Sequence, residues 1–86
     1  MKKDYHLISF LHRATRRTAV LKSTRKPKTP KEIAIECKLS ISNISNALAE
    51  LKGRELIECI NPEDHISKFY QQTTKGKEAL KMLEVY

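Results

Sequence analysis

The sequence contains few of the residues on which many enzymes and secreted proteins depend. It has no tryptophan, two glycines and two cysteines among 86 residues. With so few glycines it holds no glycine-rich phosphate loop, and it offers neither a nucleophile beside a base nor paired carboxylates in a predicted cleft. We therefore expect no enzymatic activity, no cofactor and no small-molecule substrate.

The cysteines and histidines also lack the spacing of a metal site. Cys37 and Cys59 fall on predicted apolar faces, which is typical of reduced core residues rather than of a disulfide or zinc site, although a redox role stays open. No ligand cluster accompanies His6 or His12, so we expect surface positions and no metal. Because no apolar run reaches membrane length and no signal-peptide core follows the first residues, we expect a cytoplasmic protein without a membrane partner.

Positive charge is abundant and unevenly distributed. The net charge is +7, which indicates a polyanionic partner such as nucleic acid. Residues 1–31 hold ten Lys and Arg against one acid, a balance of +9, whereas residues 32–86 hold seven against nine, a balance of −2. We expect the basic surface on the N-terminal helices and on the loop before Thr29. A solvated basic surface without a specific partner is the alternative that composition leaves open.

Residues 29–52 have the pattern of two short helices joined by a tight turn. Thr29 is a predicted N-cap, Pro30 suits the first helical position, and Glu32 completes a capping box. Ser40 is placed to cap the second helix. The stretch is therefore a predicted helix-turn-helix.

The second of these helices separates apolar from polar residues by face. Steps of three and four residues predict one buried stripe, formed by Ile41, Ile44, Leu48 and Leu51. The opposite face holds Ser42, Asn43, Ser45 and Asn46. Compact amides and hydroxyls suit base edges, because asparagine forms paired hydrogen bonds with adenine. The only charge expected on this helix is Glu50, so cations that hold phosphates would come from neighbouring segments.

Two helices are predicted at the beginning of the chain, over residues 4–23. The first has a broad apolar face, formed by Leu7, Ile8, Phe10 and Leu11. This face either closes the core of its own chain or packs across a dimer interface, and the pattern favours neither. The second helix is expected to turn Val20 and Leu21 inward and to turn three cations outward, namely Arg16, Arg17 and Lys22.

The C-terminal part of the chain predicts a hairpin and a last helix. Two short apolar segments surround the turn formers NPEDH within residues 56–73, which indicates a two-stranded β-hairpin. Residues 74–86 read as a helix capped by Thr73 or Thr74. Its apolar stripe consists of Ala79, Leu80, Leu83 and Tyr86. This stripe packs either on its own domain or on a second copy.

Four segments, in this order and spacing, carry a family resemblance: TPKEIA, LSISNISNALAEL, LIECINPE and FYQQTTKGKEAL. They resemble a winged helix-turn-helix domain, closest to small archaeal-type regulators related to the MarR and ArsR families. The resemblance covers roughly residues 15–83. It implies a mainly α fold with a small β-hairpin (α+β), about five helices and a two-stranded wing, in one domain over residues 1–86. It also implies a transcriptional regulator that binds double-stranded DNA, as a homodimer through its terminal helices.

The residues and the resemblance together predict the DNA contacts. The side chains expected at base edges in the major groove are Ser42, Asn43 and Asn46. Those expected to hold phosphates are Thr29, Lys31, Ser40 and Arg54, with Lys26, Lys28 and Lys68 as auxiliary backbone contacts. The basic linker over residues 24–28 fits a phosphate clamp and a plain solvated loop about equally well.

Several positions depart from the family pattern. Glu55 stands where a glycine usually precedes the first strand, so we expect a rearranged connection there. Gln72 replaces a common leucine, and Asn46 stands where an arginine is frequent. The predicted wing tip holds Glu63 and Asp64, which repel phosphate, so we expect a minor role for the wing.

Two other functions stay open. A winged-helix adaptor in a transcription or RNA-processing assembly would bind protein through the apolar terminal helices, and the nearly uncharged second helix of the helix-turn-helix favours it. A non-specific DNA-binding protein would use the basic N-terminal half. Sequence preference and salt dependence of duplex binding separate these functions.

Overall fold

The computed structural model describes residues 4–85, which form five helices and a two-stranded sheet. In chain order the elements are α1 (Tyr5–His12), α2 (Thr15–Ser23), α3 (Pro30–Cys37), α4 (Ile41–Gly53), β1 (Ile57–Cys59), β2 (Tyr70–Gln72) and α5 (Thr74–Val85). The predicted fold class is confirmed. Tyr86, which belongs to the predicted stripe of the last helix, lies outside the described residues.

Helix α2 lies at the centre of the packing, in contact with α1, α3, α4 and α5. Its Val20 and Leu21 are fully buried, as predicted. They meet fully buried side chains of the other elements, which include Leu11, Ile33, Ile44, Leu51 and Ile57. Burying one such side chain stabilises the fold by about 1.5–3 kcal/mol before conformational entropy is subtracted.

The apolar faces of the terminal helices pack within their own chain. Leu7, Ile8, Phe10 and Leu11 of α1 are all buried, and so are Ala79, Leu80 and Met82 of α5. Leu83 is partly buried against the same core. The sequence left open whether these faces close the core of their own chain or pack across a dimer interface. In the structure these residues close the core.

The helix-turn-helix forms as its sequence predicts. The Glu32 N–H donates to Thr29 Oγ1 at 3.2 Å, and the Thr29 N–H donates to Glu32 Oε1 at 2.9 Å, which completes the capping box. Helix α3 ends at Cys37, and the residue that caps it, Lys38, has a left-handed φ of 56°. The Asn43 N–H then donates to Ser40 Oγ at 3.2 Å and caps the start of α4.

One residue of the predicted stripe on α4 is not in the core. Ile44, Leu48 and Leu51 are buried, but Ile41 is 54% exposed and Ala47 is buried instead. Ile41 is the first residue of the helix, and helical side chains lean toward the N-terminus. Its side chain therefore extends past the edge of the core.

The sheet is a short hairpin with a third segment attached to it. Ile57 pairs with Gln72, and Cys59 pairs with Tyr70, in antiparallel register. The Lys28 N–H donates to the Tyr70 carbonyl at 3.0 Å, and the Tyr70 N–H donates to the Lys28 carbonyl at 2.8 Å. Lys28 therefore fixes the end of the basic linker to β2, while residues 25–27 are exposed, and the choice between a phosphate clamp and a solvated loop stays open.

Two departures from the family pattern have a local explanation. The Gln72 side chain is buried, and its Nε2 donates to the Leu21 carbonyl at 2.9 Å, so the amide is satisfied where a leucine is common. Glu55 itself adopts a left-handed φ of 60°. The turn before β1 thus forms without glycine, and the expected rearrangement of this connection is wrong.

The start of α5 is fixed against the same turn. Thr73 Oγ1 accepts the Gly76 N–H at 3.0 Å and donates to the Glu55 carbonyl at 2.7 Å, so Thr73 rather than Thr74 caps α5. A Cβ on Gly76 would lie 2.2 Å from the Leu56 carbonyl oxygen. Only glycine allows this approach without movement of the backbone.

A charged cluster joins α2 to α4. Arg17 Nη2 lies 2.7 Å from Glu50 Oε2, and Arg16 Nη2 lies 3.2 Å from Glu50 Oε1. Arg17 Nη1 also donates to the Phe10 carbonyl at 2.7 Å. The Arg17 side chain is 16% exposed, so the expectation that it points outward is wrong. Its guanidinium is held by both α1 and α4 because a half-buried cation requires partners.

The two glycines give opposite predictions for stability. Gly53 lies in the last turn of α4, and an added Cβ there meets no atom within 4 Å. We expect Gly53→Ala to raise the free energy of unfolding by about 0.5–1 kcal/mol, because alanine loses less backbone entropy in a helix. Gly76→Ala should lower it by about 1–3 kcal/mol through overpacking. Urea denaturation of both variants checks this pair, and a stable Gly76→Ala would contradict the packing of α5.

The Arg16–Glu50–Arg17 cluster predicts a pH dependence. The hydrogen bond from Arg17 is the largest cause that lowers the pKa of Glu50, and Arg16 adds to it. Ionised Glu50 therefore contributes stability above its unfolded pKa of about 4.3, and this contribution is lost as the pH falls through the folded pKa. We expect Glu50→Gln to lower the free energy of unfolding by about 1 kcal/mol at pH 7. The difference from the unaltered protein should shrink in acid.

Denaturant titrations from pH 3 to pH 7 measure this difference. Glu78→Gln removes the same charge from an exposed position on α5, and we expect it to change stability by less than about 0.5 kcal/mol. A Glu50→Gln deficit that stays constant over the whole pH range would show that the cluster does not act through the carboxylate charge.

Candidate nucleic-acid interface

Helix α4 exposes a row of small side chains opposite its buried stripe. Ser42, Ser45, Asn46 and Ala49 are exposed, and their spacing of three and four residues places them on one side of the helix. We call these four residues the reading face. They add hydroxyl, amide and methyl groups and no charge, so this surface suits the edges of bases better than phosphates.

Asn43 lies at the edge of this face rather than at its centre. It is half-buried and lines a groove of about 410 Å³ between α4 and the start of α2. The other lining residues are His12, Arg13, Ala14, Thr15, Arg16 and Leu39. We call this depression the α2 groove. Two of the three predicted base contacts, Ser42 and Asn46, thus lie on the reading face, and the third lies beside it.

The lysines predicted to contact phosphates differ in their surroundings. Lys26 in the linker and Lys31 in the first turn of α3 are exposed. Lys28 instead pairs with Glu36, which also accepts a hydrogen bond from Ser23 at 3.0 Å. The Lys28 hydrogen bond is the largest cause that lowers the pKa of Glu36. A phosphate contact from Lys28 would therefore compete with this carboxylate.

The two hydroxyl groups predicted at phosphates are helix caps. Thr29 Oγ1 accepts the Glu32 N–H and lies 3.1 Å from Glu32 Oε1. The hydrogen bond from the Thr29 backbone N–H is the largest cause that lowers the pKa of Glu32, and the Thr29 hydroxyl adds to it. Ser40 is exposed and its Oγ accepts the Asn43 N–H. Both hydroxyls fix the starts of α3 and α4, and their contact with phosphate stays a prediction.

Arg54 and Arg17 lie against one aromatic ring. Their guanidinium carbons are 4.5 Å and 4.1 Å from the centroid of Phe10. Such cation–π contacts hold a guanidinium in place while its nitrogens stay available to other partners. Arg54 is exposed and also lines a second cavity with His6 and Arg13. The predicted phosphate contact of Arg54 therefore starts from an ordered side chain.

The wing tip is ordered by its own polar side chains. Asn61 Oδ1 accepts the Phe69 N–H at 2.7 Å, and Asn61 Nδ2 donates to the Ser67 carbonyl at 2.7 Å. Asp64 accepts the N–H groups of Ser67 and Ile66, and the bond from Ser67 is the largest cause that lowers its pKa. The tip therefore presents a negative charge, and the minor role of the wing stays a prediction.

Lys68 is the one cation predicted in the wing, and it is exposed. Two residues before it, Ile66 is 95% exposed. Among residues 4–85, no side chain or carbonyl accepts a hydrogen bond from the Lys68 ammonium group. The auxiliary phosphate contact of Lys68 stays a prediction.

The two cysteines belong to no metal-type cluster within residues 4–85. Cys37 and Cys59 are free thiols and half-buried, and burial is the largest cause that raises the pKa of Cys37. Within residues 4–85, no group of three or more His, Cys, Asp and Glu side chains is arranged to hold a metal ion. Over the same residues, no helix combines the length and the apolar character that crossing a membrane requires.

Sequence reasoning missed the cations of the α2 groove. Arg13 and Arg16 belong to the corner between α1 and α2, and they are distant in sequence from the helix-turn-helix. The charge balance of residues 1–31 indicated that cations lie somewhere in this region. Only the packing of α2 on α4 shows which of them lie beside Asn43.

No protein-family profile matches the sequence, and no curated protein matches it significantly. Several solved structures do match. NMB1585, a MarR family regulator from Neisseria meningitidis, is 26% identical with a TM-score of 0.70, over 81% of this chain and 51% of that one. A MepR variant from S. aureus, bound to an oligodeoxyribonucleotide, is 18% identical with a TM-score of 0.74, over 94% of this chain and 64% of that one.

A third match is the homodimeric winged helix-turn-helix DNA-binding domain of Mb0332 from Mycobacterium bovis, a possible ArsR-family regulator. It is 17% identical with a TM-score of 0.71, over 94% of this chain and 73% of that fragment. The chain spans about half the length of the first MarR-type regulators that it matches. The protein has the winged helix-turn-helix fold of the MarR-family transcription regulators.

Proposed function

We propose that the protein is a transcriptional regulator that binds double-stranded DNA with sequence preference and places α4 in the major groove. The observation that carries the proposal is the reading face, where small polar side chains are exposed opposite a buried stripe. A helix fits the major groove, where each base pair presents a distinct pattern of donors and acceptors. The MepR variant was solved with an oligodeoxyribonucleotide, which supports the same class of partner here.

The base contacts proposed from the sequence are Ser42, Asn43 and Asn46. The exposure of α4 extends this set to Ser45, whose hydroxyl can donate or accept, and to Ala49, whose methyl suits the methyl group of thymine. Because these side chains are short, the helix backbone must approach the bases closely. The buried stripe, centred on Ile44, keeps the helix rigid enough for this approach.

Cations around α4 supply the attraction to phosphates in this proposal. Exposed Lys26 and Lys31 lie on the linker and on α3, and Arg54 follows α4. Glu50 is the acid of α4, and its charge is compensated by two arginines of α2. A duplex that approaches α4 therefore meets little uncompensated negative charge on that helix.

We further propose that two copies bind one DNA site, with their reading faces about 34 Å apart. Support comes from Mb0332, which is homodimeric. The apolar residues of α1 already lie in the core. A dimer through α1 would therefore use exposed positions of that helix rather than these residues.

Selection of bound duplexes from a random pool tests the function. The proposal expects one enriched sequence, arranged as an inverted repeat with centres one helical turn apart, and a steep loss of affinity with salt. An enriched half-site without a repeat would contradict the dimer and leave DNA binding intact. Retention of duplexes without enrichment would identify non-specific binding, and no retention at all would contradict DNA binding.

The two asparagines of α4 are proposed to read different base pairs. We expect Asn46→Ala to weaken binding of the selected duplex by about 1–3 kcal/mol and to relax the preference at one base pair, because a paired hydrogen bond to that base is lost. Asn43→Ala should relax the preference at a different base pair. Electrophoretic shifts on duplexes with single substitutions measure this, and an unchanged base preference in both variants would rule out these assignments.

The second prediction concerns the phosphate contacts. We expect Lys31→Ala to weaken binding of all duplexes similarly and to reduce the magnitude of the salt slope by about 0.9, because one phosphate contact is lost. Lys28→Ala should have a smaller effect, since Glu36 already pairs with Lys28.

Lys81→Ala is the matched control for these lysines. It removes the same charge from an exposed position on α5, a helix that packs on α1, α2 and β2. We expect its salt slope to match that of the unaltered protein. A loss in Lys31→Ala that is confined to the preferred sequence would indicate base readout instead of a phosphate contact.

A further inference from the structure

We propose that the α2 groove binds a phosphate of the DNA backbone beside the reading face, with Arg13 as its principal ligand. This site is additional to the contacts predicted from the helix-turn-helix and the wing, and it rests on the proposed function. It would anchor the strand that borders α4 on the side of Asn43.

The composition of the groove indicates an anion. His12, Arg13, Thr15 and Arg16 form one side, Leu39 and Asn43 form the other, and none of the lining residues is acidic. Arginine presents a planar fork of donors with a permanent positive charge, which matches phosphate oxygens. The Arg13 side chain is exposed, so a ligand can reach it.

The nearest carboxylate is compensated. Arg16 lines the groove and places one nitrogen 3.2 Å from Glu50 Oε1, while Arg17 lies 2.7 Å from Glu50 Oε2. The Glu50 charge is therefore shared by two cations, and the field in the groove stays positive. The Arg16 Nε atom is buried without a hydrogen-bond partner among the described residues, so this arginine is not saturated by Glu50.

The backbone of the groove adds donors to these side chains. Helix α2 begins after Ala14, whose side chain cannot cap it, so no side chain accepts the first N–H groups of this nine-residue helix. Such groups favour a negative charge. These N–H groups only add to the attraction, since the arginines already define the site.

The position of the groove selects a DNA phosphate rather than a free anion. Asn43 is shared between the groove and the edge of the reading face, so an anion bound there lies next to a side chain proposed to contact a base. Arg13 also lines the second cavity, together with Arg54. Arg13 therefore borders both Asn43 and Arg54, which is a predicted phosphate contact beyond the end of α4. One continuous DNA strand that passes along α4 would meet all three residues.

The test uses the full chain and the duplex selected as above. In a set of duplexes, one phosphate at a time is replaced by an uncharged methylphosphonate, and the affinity of each is measured. We expect the unaltered protein to lose about five- to tenfold at one or two phosphates beside the base pair that Asn43 reads. Arg13→Ala should bind the unmodified duplex about five- to tenfold more weakly and should be insensitive to replacement at those same phosphates.

Two controls accompany this scan. Lys81→Ala loses one charge on α5 and should reproduce the scan of the unaltered protein. Arg13→Lys keeps the charge without the fork and should recover part of the affinity and part of the sensitivity. Thermal melting of each variant establishes that it is folded, which we expect because Arg13 is exposed.

The site would be overturned if Arg13→Ala kept its affinity, or if its binding stayed sensitive to methylphosphonate replacement at the same phosphates as the unaltered protein. Either result would leave the reading face and the proposed function intact. If inorganic phosphate protects Arg13 from chemical modification while no methylphosphonate affects DNA binding, the groove is a small-anion site. That result would equally overturn the assignment to DNA. Failure of the unaltered protein to enrich any duplex would count against the proposed function itself.

Discussion

The contact between α2 and α4 is the constraint on which the rest of the structure depends. Val20 and Leu21 of α2 and Ile44 of α4 are fully buried in the same core, and the cluster of Glu50 with Arg16 and Arg17 closes the contact at the surface. The apolar part supplies the free energy, since surface ion pairs contribute little. The charged part links α2 to α4, and it compensates the acidic charge that α4 carries.

Much of the fold could be predicted because local signals and the apolar pattern agree. The capping box of Thr29 and Glu32 and the cap at Ser40 define the starts of α3 and α4 in sequence and structure alike. The exceptions occur where a single position depends on the rest of the fold. Ile41 has the correct spacing for the core but lies at its edge, and Glu55 takes a left-handed φ of 60° without being glycine.

The candidate site was less predictable than the fold, for a physical reason. Side chains on one helix, such as Asn46, are placed together by helical periodicity alone. Arg13 and Asn43 line one groove only because α2 packs on α4, and no local pattern encodes the proximity of residues 30 positions apart. The partner of Lys28 was missed for the same reason, since Glu36 lies on the following helix. Charge counts located the basic region but could not decide which cations are already paired.

The central claim is that the reading face, with Asn43 at its edge, contacts the bases of a duplex. The side-chain amide signals of Asn43 and Asn46 in ¹⁵N-resolved NMR spectra test it directly during titration with the selected duplex. The account predicts that both signals shift, together with backbone amides of residues 40–50, and that they shift less with an unrelated duplex of equal length. Shifts confined to α5 and the wing, with unchanged signals from Asn43 and Asn46, would contradict it.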